Sequence, residues 1–239
     1  MNIGVVIIPT FNEIENIENI LDAVFALQTS FDVLVVDDNS PDFTAKKVQE
    51  LQQKYPNLHL EIRSKKAGLG TAYVHGFKWA LQKKYAYIFE MDADFSHCPM
   101  DLERLLKACQ NGADVAIGSR YSNGVNVVNW PLSRVLLSYF ASIYVKLITG
   151  MKIADATAGF ICYKREVLEK INLDKVKFVG YAFQIEMKYR AFINHFSIVE
   201  IPIIFTDRTK GQSKMSGRII KEAVFGVIKL RIQNIFNTL

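Results

Sequence analysis

Cysteine is scarce. Cys98, Cys109 and Cys162 are odd in number and show no C-x-x-C spacing, which excludes a disulfide framework and a thiolate zinc site and leaves reduced thiols in a reducing compartment. Long hydrophobic runs are also missing. The opening run Ile3–Ile8 has no basic residue before it and stops at Pro9, unlike a secretory leader. The later run Val135–Val145 is interrupted by Ser138 and Ser142 and is shorter than the roughly 20 residues that span a bilayer. No repeat or low-complexity linker divides the chain. The histidines are scattered, so His75, His97 and His195 read as structural or solvent-exposed and not as catalytic. Charge of one sign is not dominant either: 29 Lys and Arg against 24 Asp and Glu leave a formal +5. That surplus suits an anionic partner such as phosphate, nucleotide or lipid headgroup without selecting one.

What is present is material for one large α/β domain: 239 residues, half of them hydrophobic. Short β-branched runs at Ile3–Ile8, Asp32–Val36, Leu58–Ile62, Ala86–Met91 and Ala113–Gly118 read as strands. Helical spacing fills Glu13–Ala26, Thr44–Tyr55 and Thr71–Lys83 between them. This alternation predicts a mostly parallel sheet with helices on both faces. Beyond Arg120 the pattern changes to helices at Trp130–Ile148 and Tyr181–Phe192, strands at Phe160–Tyr163 and Ser197–Phe205, and a helical tail from Ser216. The expected organisation is a catalytic domain over 1–215, with a nucleotide-sugar half at about 1–120 and an acceptor half at about 121–215. An amphipathic helix over 216–239 follows it.

Ligands of such sheets sit beyond the carboxyl ends of the strands. Those ends read Pro9-Thr10-Phe11-Asn12-Glu13, Asp37-Asp38, Asp92-Ala93-Asp94 and Gly118-Ser119-Arg120, so acidic groups from distant segments converge on one rim. Asp92 and Asp94, two residues apart at a strand end, can address one cation. Mg²⁺ or Mn²⁺ prefers carboxylate oxygen, keeps some waters and bridges to substrate phosphates, which neutralises a diphosphate leaving group. Two readings are open for Asp37: a hydrogen-bond acceptor for a nucleobase or ribose, or an organiser of the turn that follows. Gly68-Leu69-Gly70 lacks the Lys-Ser/Thr of a Walker loop, so a loose phosphate loop and a plain helix-start turn stand equal.

Several segments together resemble the family-2 glycosyltransferases, and among them the dolichol-phosphate (polyprenol-phosphate) mannose synthases. They are Pro9–Glu13, Asp37–Asp42, Lys66–Tyr73, Met91–His97, Gly118–Tyr121, Trp130 with Ser133-Arg134, Asp155–Phe160, Gly180–Glu186, and Phe205 with Arg208, Gly211, Ser213 and Lys214. The resemblance runs to about residue 217 with its motifs in the family's order. It implies a GT-A fold (Rossmann-like α/β) and a GDP-mannose donor. It places Pro9, Phe11, Glu13, Val36 and Asp38 at the guanosine, and Asp92, Ala93 and Asp94 at the metal and diphosphate. Arg120, Arg134, Ser138, Arg208 and Lys214 fall at donor or acceptor phosphates. Asp94 and Arg120 stand as catalytic, Arg120, Arg208 and Lys214 serve the donor, and Arg134, Ser138 and Arg208 serve the acceptor. Two positions depart from the pattern: Phe11 stands where Tyr is common, and Ser96 where Gln often supplies a metal-side ligand.

A lipid monophosphate is anionic at neutral pH, so its attack on a sugar needs positioning and charge compensation more than a protein base. Arg134 and Arg208 offer planar, permanently charged forks suited to phosphate. A single displacement inverts the anomeric centre, from an α-linked donor to a β-linked lipid phosphate sugar. Trp130–Ile148 and Ser216–Leu239 combine apolar faces with Arg and Lys, as interfacial helices do, although plain packing on the domain suits them equally. The expected setting is the cytoplasmic face of a membrane, with peripheral contact, no nucleic-acid partner and room for a membrane-anchor protein. A UDP-glucose or UDP-N-acetylglucosamine transferase and a non-catalytic nucleotide-sugar-binding subunit remain as alternatives. The intact Asp92, Asp94, Arg120, Arg134 and Lys214 argue against the last.

Overall fold

The structure, a computed structural model, describes residues 3–207 and 217–236. Its first half alternates β1 (Gly4–Thr10), α1 (Ile17–Phe25), β2 (Asp32–Asp37), α2 (Thr44–Leu51), β3 (Leu58–Ile62), α3 (Leu69–Gln82), β4 (Tyr87–Glu90), α4 (Asp101–Gln110) and β5 (Val115–Ser119). The second half holds β6 (Val127–Val128), α5 (Leu132–Thr149), β7 (Ile161–Lys164), α6 (Arg165–Lys170), α7 (Tyr181–Ile193), β8 (Ile198–Pro202), β9 (Phe205–Thr206) and α8 (Gly217–Ile235).

Seven strands form one sheet in the order β3-β2-β1-β4-β7-β5-β8. The side chains of β1 alternate between its faces: Val5 and Ile7 enter the core layer with α3, while Val6 and Ile8 enter the layer with α1. Burial of both faces is why these strands read as unbroken apolar runs. The β1, β2, β3 and β4 pairings are parallel, but β7 runs antiparallel between β4 and β5. This reversal has a consequence for the site. Ile161 opens β7 opposite both Glu90 and Ile117, so the loop before it, Asp155–Phe160, is delivered to the rim where β4 and β5 end.

Two differences from the sequence pattern stand out, and for α8 the packing reading left open above is the one observed. The segment Ser197–Phe205 divides into β8 and β9, and β9 leaves the main sheet to pair with β6. The run around Val135–Val145 is longer than its apolar core suggested: α5 has 18 residues and is long and apolar enough, by length and composition, to cross a membrane. One side of it packs on the domain through Ser142, Val145 and Thr149, and the Tyr144 hydroxyl donates to the Val224 carbonyl of α8 at 2.8 Å. Finally, α8 is built into the same body as the domain. It packs on α5 and α7 and sends Val227 and Leu230 into the core layer shared with α3 and α7.

Gly70 shows how closely α3 meets the loop before α7. A Cβ there would come within 2.6 Å of the Phe178 carbonyl oxygen and 2.8 Å of the Phe183 ring. Gly68, at φ 102°, faces Val179 in the same way. Their spacing thus serves a helix-start turn packed against backbone, which takes the place of the loose phosphate-loop reading.

Candidate active site

The carboxyl ends of β1 and β2 form one side of the rim. Asp37 is fully buried and spent on the turn: it accepts the Thr10 hydroxyl at 2.7 Å, the Ser40 N–H at 2.8 Å and the Ser40 hydroxyl at 2.6 Å. This decides its two readings in favour of turn organiser. Asp38, also buried, accepts the Arg63 Nε at 2.5 Å, and Arg63 Nη1 donates to the Thr71 hydroxyl at 2.8 Å. Arg63 was not legible as a site residue, because it follows β3 with no motif around it. Val36 is fully buried, its side chain in the core layer with α3. Pro9, Phe11 and Glu13 are half-buried at the end of β1. The Phe11 ring carries the Lys66 ammonium 4.1 Å from its centroid, and Glu13 accepts from the Asn16 amide at 3.0 Å.

Beside them, the segment that follows β4 carries Asp92, Ala93 and Asp94. The Tyr73 hydroxyl reaches Asp92 Oδ1 at 3.4 Å, and the Ser96 N–H holds Asp94 Oδ1 at 3.1 Å. Phe95 lies between them at φ 60°, a left-handed conformation costly for a bulky residue. Among the described residues no group of three or more His, Cys, Asp or Glu side chains is assembled as a metal cage. A pair of carboxylates at a strand end still fits Mg²⁺ or Mn²⁺, which take one or two protein carboxylates and fill their shell with waters and substrate phosphates.

Arg120 begins where β5 ends, and the reversed β7 brings it its partner. Asp155 is fully buried. It accepts the Arg120 N–H at 2.9 Å, Nε at 2.6 Å and Nη2 at 2.6 Å, and Nη2 also reaches the Thr157 hydroxyl at 2.8 Å. Burial alone would raise the Asp155 carboxyl; the Arg120 guanidinium overcomes this and holds it below its usual value. Three rings surround the guanidinium, Tyr121, Trp130 and Phe205, each with its centroid 5.4 to 5.5 Å from Cζ. Arg120 is thereby fixed as a positive wall of the site. Glu200 of β8 locks the Asp155 turn from beneath by accepting the Ala154 and Asp155 N–H groups at 2.7 and 2.9 Å.

A cavity of about 360 Å³ opens from Asp92, Ser96, His97 and Arg120 toward α5 and α8, where Leu137, Phe140, Tyr144, Val224 and Val227 line it. Arg134 and Ser138 line it from α5. Arg134 donates to both oxygens of Asp207 at 2.8 and 2.9 Å and stacks 4.0 Å over Trp130. The cavity thus joins Asp92, Arg120, Arg134 and Ser138, whereas Phe11, Glu13 and Asp38 occupy the neighbouring rim. Arg208 and Lys214 lie outside the described residues. The β6–β9 ribbon is fastened to the turn after Asp94, because the Thr206 N–H donates to the Ser96 carbonyl at 3.2 Å.

His97, set aside on its sequence alone, lies within the site. It is buried between Phe160 and Phe205, and burial pushes its imidazole down to about 4. Beneath Asp92, Glu90 accepts the Gln184 amide at 2.5 Å. Lys188 donates to the carbonyls of Ala156 and Ala158 at 3.2 and 2.5 Å, fastening the Asp155–Gly159 turn to α7. Burial raises Glu90 to about 7 and lowers Lys188 to about 8. The signal for His97 was its place in Met91–His97, three residues past the second aspartate.

Residues 5–172 match the family model described as Glycosyl transferase family 2. The chain is 50% identical over 229 residues to the polyprenol monophosphomannose synthase of Mycolicibacterium smegmatis, covering 95% of this chain and 86% of that protein. It is 44% identical over 223 residues to the undecaprenyl-phosphate mannosyltransferase of Micrococcus luteus, covering 93% and 91%. Among solved structures, glucosyl-3-phosphoglycerate synthase from Mycobacterium tuberculosis, in complex with Mn²⁺, UDP and glucosyl-3-phosphoglycerate, superposes with a TM-score of 0.68 at 15% identity. That match covers 98% of this chain and 79% of that one and shows the shared GT-A fold.

Proposed function

This chain belongs to glycosyl transferase family 2, and on that premise we propose that it transfers mannose from GDP-mannose to a polyprenyl or dolichyl monophosphate, releasing GDP. The carrying observation is the cavity that connects the Asp92 end of β4 to Arg134 and Ser138 on α5, a helix whose outer face is apolar. A sugar nucleotide at the rim and a lipid phosphate at α5 meet there. The names of the two relatives, a polyprenol monophosphomannose synthase and an undecaprenyl-phosphate mannosyltransferase, point to the same acceptor class.

Asp92 and Asp94 would hold Mg²⁺ or Mn²⁺, which supplies charge neutralisation for the departing diphosphate; the structural neighbour holds Mn²⁺ with UDP. Asp38, Phe11, Glu13 and Pro9 take the guanosine, with Ala93, Arg120, Arg208 and Lys214 along the diphosphate. Arg134, Ser138 and Arg208 hold the acceptor phosphate in line with the anomeric carbon. The phosphate oxygen attacks, the bond to the diphosphate breaks, and the configuration inverts. No protein base is needed, and proximity is the main contribution. Residues 1–120 serve the donor and 121–215 the acceptor. Incubating the pure protein with GDP-mannose, UDP-glucose and a short polyprenyl phosphate tests the reading; transfer from UDP-glucose alone would overturn the donor.

Arg134→Ala, and likewise Arg208→Ala, is expected to lower kcat/KM for lipid phosphate by roughly tenfold or more, the value of a charge-assisted hydrogen bond. Affinity for free GDP stays within twofold in Arg134→Ala, and in Arg208→Ala, whose residue also serves the diphosphate, it falls less than the use of lipid phosphate. Calorimetry with GDP beside kinetics with varied lipid phosphate measures both, and equal weakening would move the arginines to the donor.

The membrane contact rests on α5 and α8. Leu147 and Phe225 are 77% and 70% exposed, with Leu132, Phe140 and Phe236 similarly open. Reversible, salt-sensitive binding to anionic vesicles is expected, each nearby basic residue contributing about 1 kcal/mol. Because α8 also fills the core, surface substitution is a cleaner test than truncation. Leu147→Asp with Phe225→Asp should release the protein into the supernatant of a vesicle co-sedimentation assay and spare transfer to a short, soluble acceptor. If the unaltered protein never sediments, a membrane-anchor partner must bring it to its substrate.

A further inference from the structure

Of the polar atoms buried without a hydrogen-bond partner, Nδ1 of His97 and Oε1 of Gln184 belong to side chains held in one orientation at the cavity. Both side chains line the same cavity as Asp92 and Arg120. Native folds pair nearly all buried polar atoms, and each exception calls for a physical reason. Neither group can turn away. The His97 ring lies parallel on Phe160 with centroids 4.9 Å apart and meets Phe205 edge-on at 5.2 Å. Gln184 is anchored through its Nε2 to Glu90 at 2.5 Å. A Cβ at Gly159 would come 3.3 Å from that nitrogen, so glycine there keeps the amide's approach open.

The roles proposed above leave these two side chains idle, since carboxylates address the diphosphate and arginines the lipid phosphate. What the donor still presents to protein is its ring of hydroxyls, each able to donate and to accept. An amide oxygen accepts, and an imidazole nitrogen accepts or donates according to its tautomer. A hexose joined to a diphosphate at Asp92 would reach into this part of the cavity. We propose that His97 and Gln184 bind hydroxyls of the transferred hexose and determine which sugar is accepted. This rests on the reading that the donor is a sugar nucleotide.

His97→Phe keeps the aromatic stack and removes the nitrogens, His97→Gln restores a hydrogen-bonding group, and Gln184→Met removes the amide. Each is assayed with GDP-mannose and with a set of singly deoxygenated GDP-mannose donors, alongside calorimetry with GDP. His97→Phe is expected to lose about tenfold in kcat/KM, the scale of one or two hydrogen bonds, with GDP affinity within twofold. One deoxy donor, used about tenfold worse by the unaltered enzyme, is then used as well as GDP-mannose by His97→Phe. Gln184→Met should lose discrimination at a different hydroxyl, and His97→Gln should recover part of the loss. Unchanged kinetics for His97→Phe and Gln184→Met would make these atoms water sites and overturn the proposal. So would equal losses on every donor together with weakened GDP binding, which mark packing roles. An unaltered enzyme that prefers UDP-glucose overturns the GDP-mannose reading alone, and deoxyglucose donors then carry the same comparison. An unaltered enzyme that turns over no sugar nucleotide overturns both.

Discussion

Asp94→Ala is expected to leave less than about a tenth of sugar transfer, a barrier increase above roughly 1.4 kcal/mol, in a protein that still folds. Asp94 is buried at the end of β4, where its Oδ1 takes the Ser96 N–H. That hydrogen bond closes a local turn, so its removal is expected to cost the fold little. The reaction loses more, because the diphosphate leaves with its charge developing where Asp92 and Asp94 would hold the cation. Activity with titrated Mn²⁺ and a thermal melt separate the two effects. Retained activity would remove Asp94 from the metal role, and a collapsed melt would make it structural.

Asp155→Ala is expected to produce the largest loss of stability, about 3–5 kcal/mol, because it strands a buried guanidinium. Asp155 receives three hydrogen bonds from Arg120 and is fully buried. With the carboxylate gone, Arg120 must find water inside its ring of aromatics. For a chain of this size the loss corresponds to roughly 10 °C in Tm, and transfer should fall with it as Arg120 leaves its place. The pair also sets a pH response. The folded carboxyl titrates below its ordinary value of 3.8, so its contribution is complete above that value and disappears only as pH falls toward the folded pKa. Acid melts of the unaltered protein and Asp155→Ala should therefore converge at low pH and separate at neutral pH. A variant melting within 2 °C of the unaltered protein at pH 7 would show that the pair contributes little.

The first half of the fold was legible because its signals are local. Strands buried on both faces read as apolar runs, helices between them show 3.6-residue spacing, and each strand closes on a recognisable turn such as Asp37–Asp42 or Asp92–Ser96. That Asp92 and Asp94 lie just past a buried strand was legible from the apolar run before them. The ambiguous signals were those where one residue type serves two purposes. Asp37 looked like a ligand and is a turn organiser, and Gly68 and Gly70 looked like a phosphate loop and make room for Phe178 and Val179.

Sequence by itself determined the alternating α/β architecture, the acidic rim and the family, since these depend on residues near one another in the chain or on motifs in a set order. Tertiary structure alone decided the rest. The reversed β7, set between β4 and β5, delivers Asp155 to Arg120 across 35 residues of chain. β9 leaves the sheet so that Phe205 closes over His97 and Arg120. Arg63 reaches Asp38 from the end of β3, and α8 folds back to pack on α5 and α7. Each depends on which strand neighbours which, and that choice is made by competition among buried apolar faces over the whole chain. No local spacing encodes it.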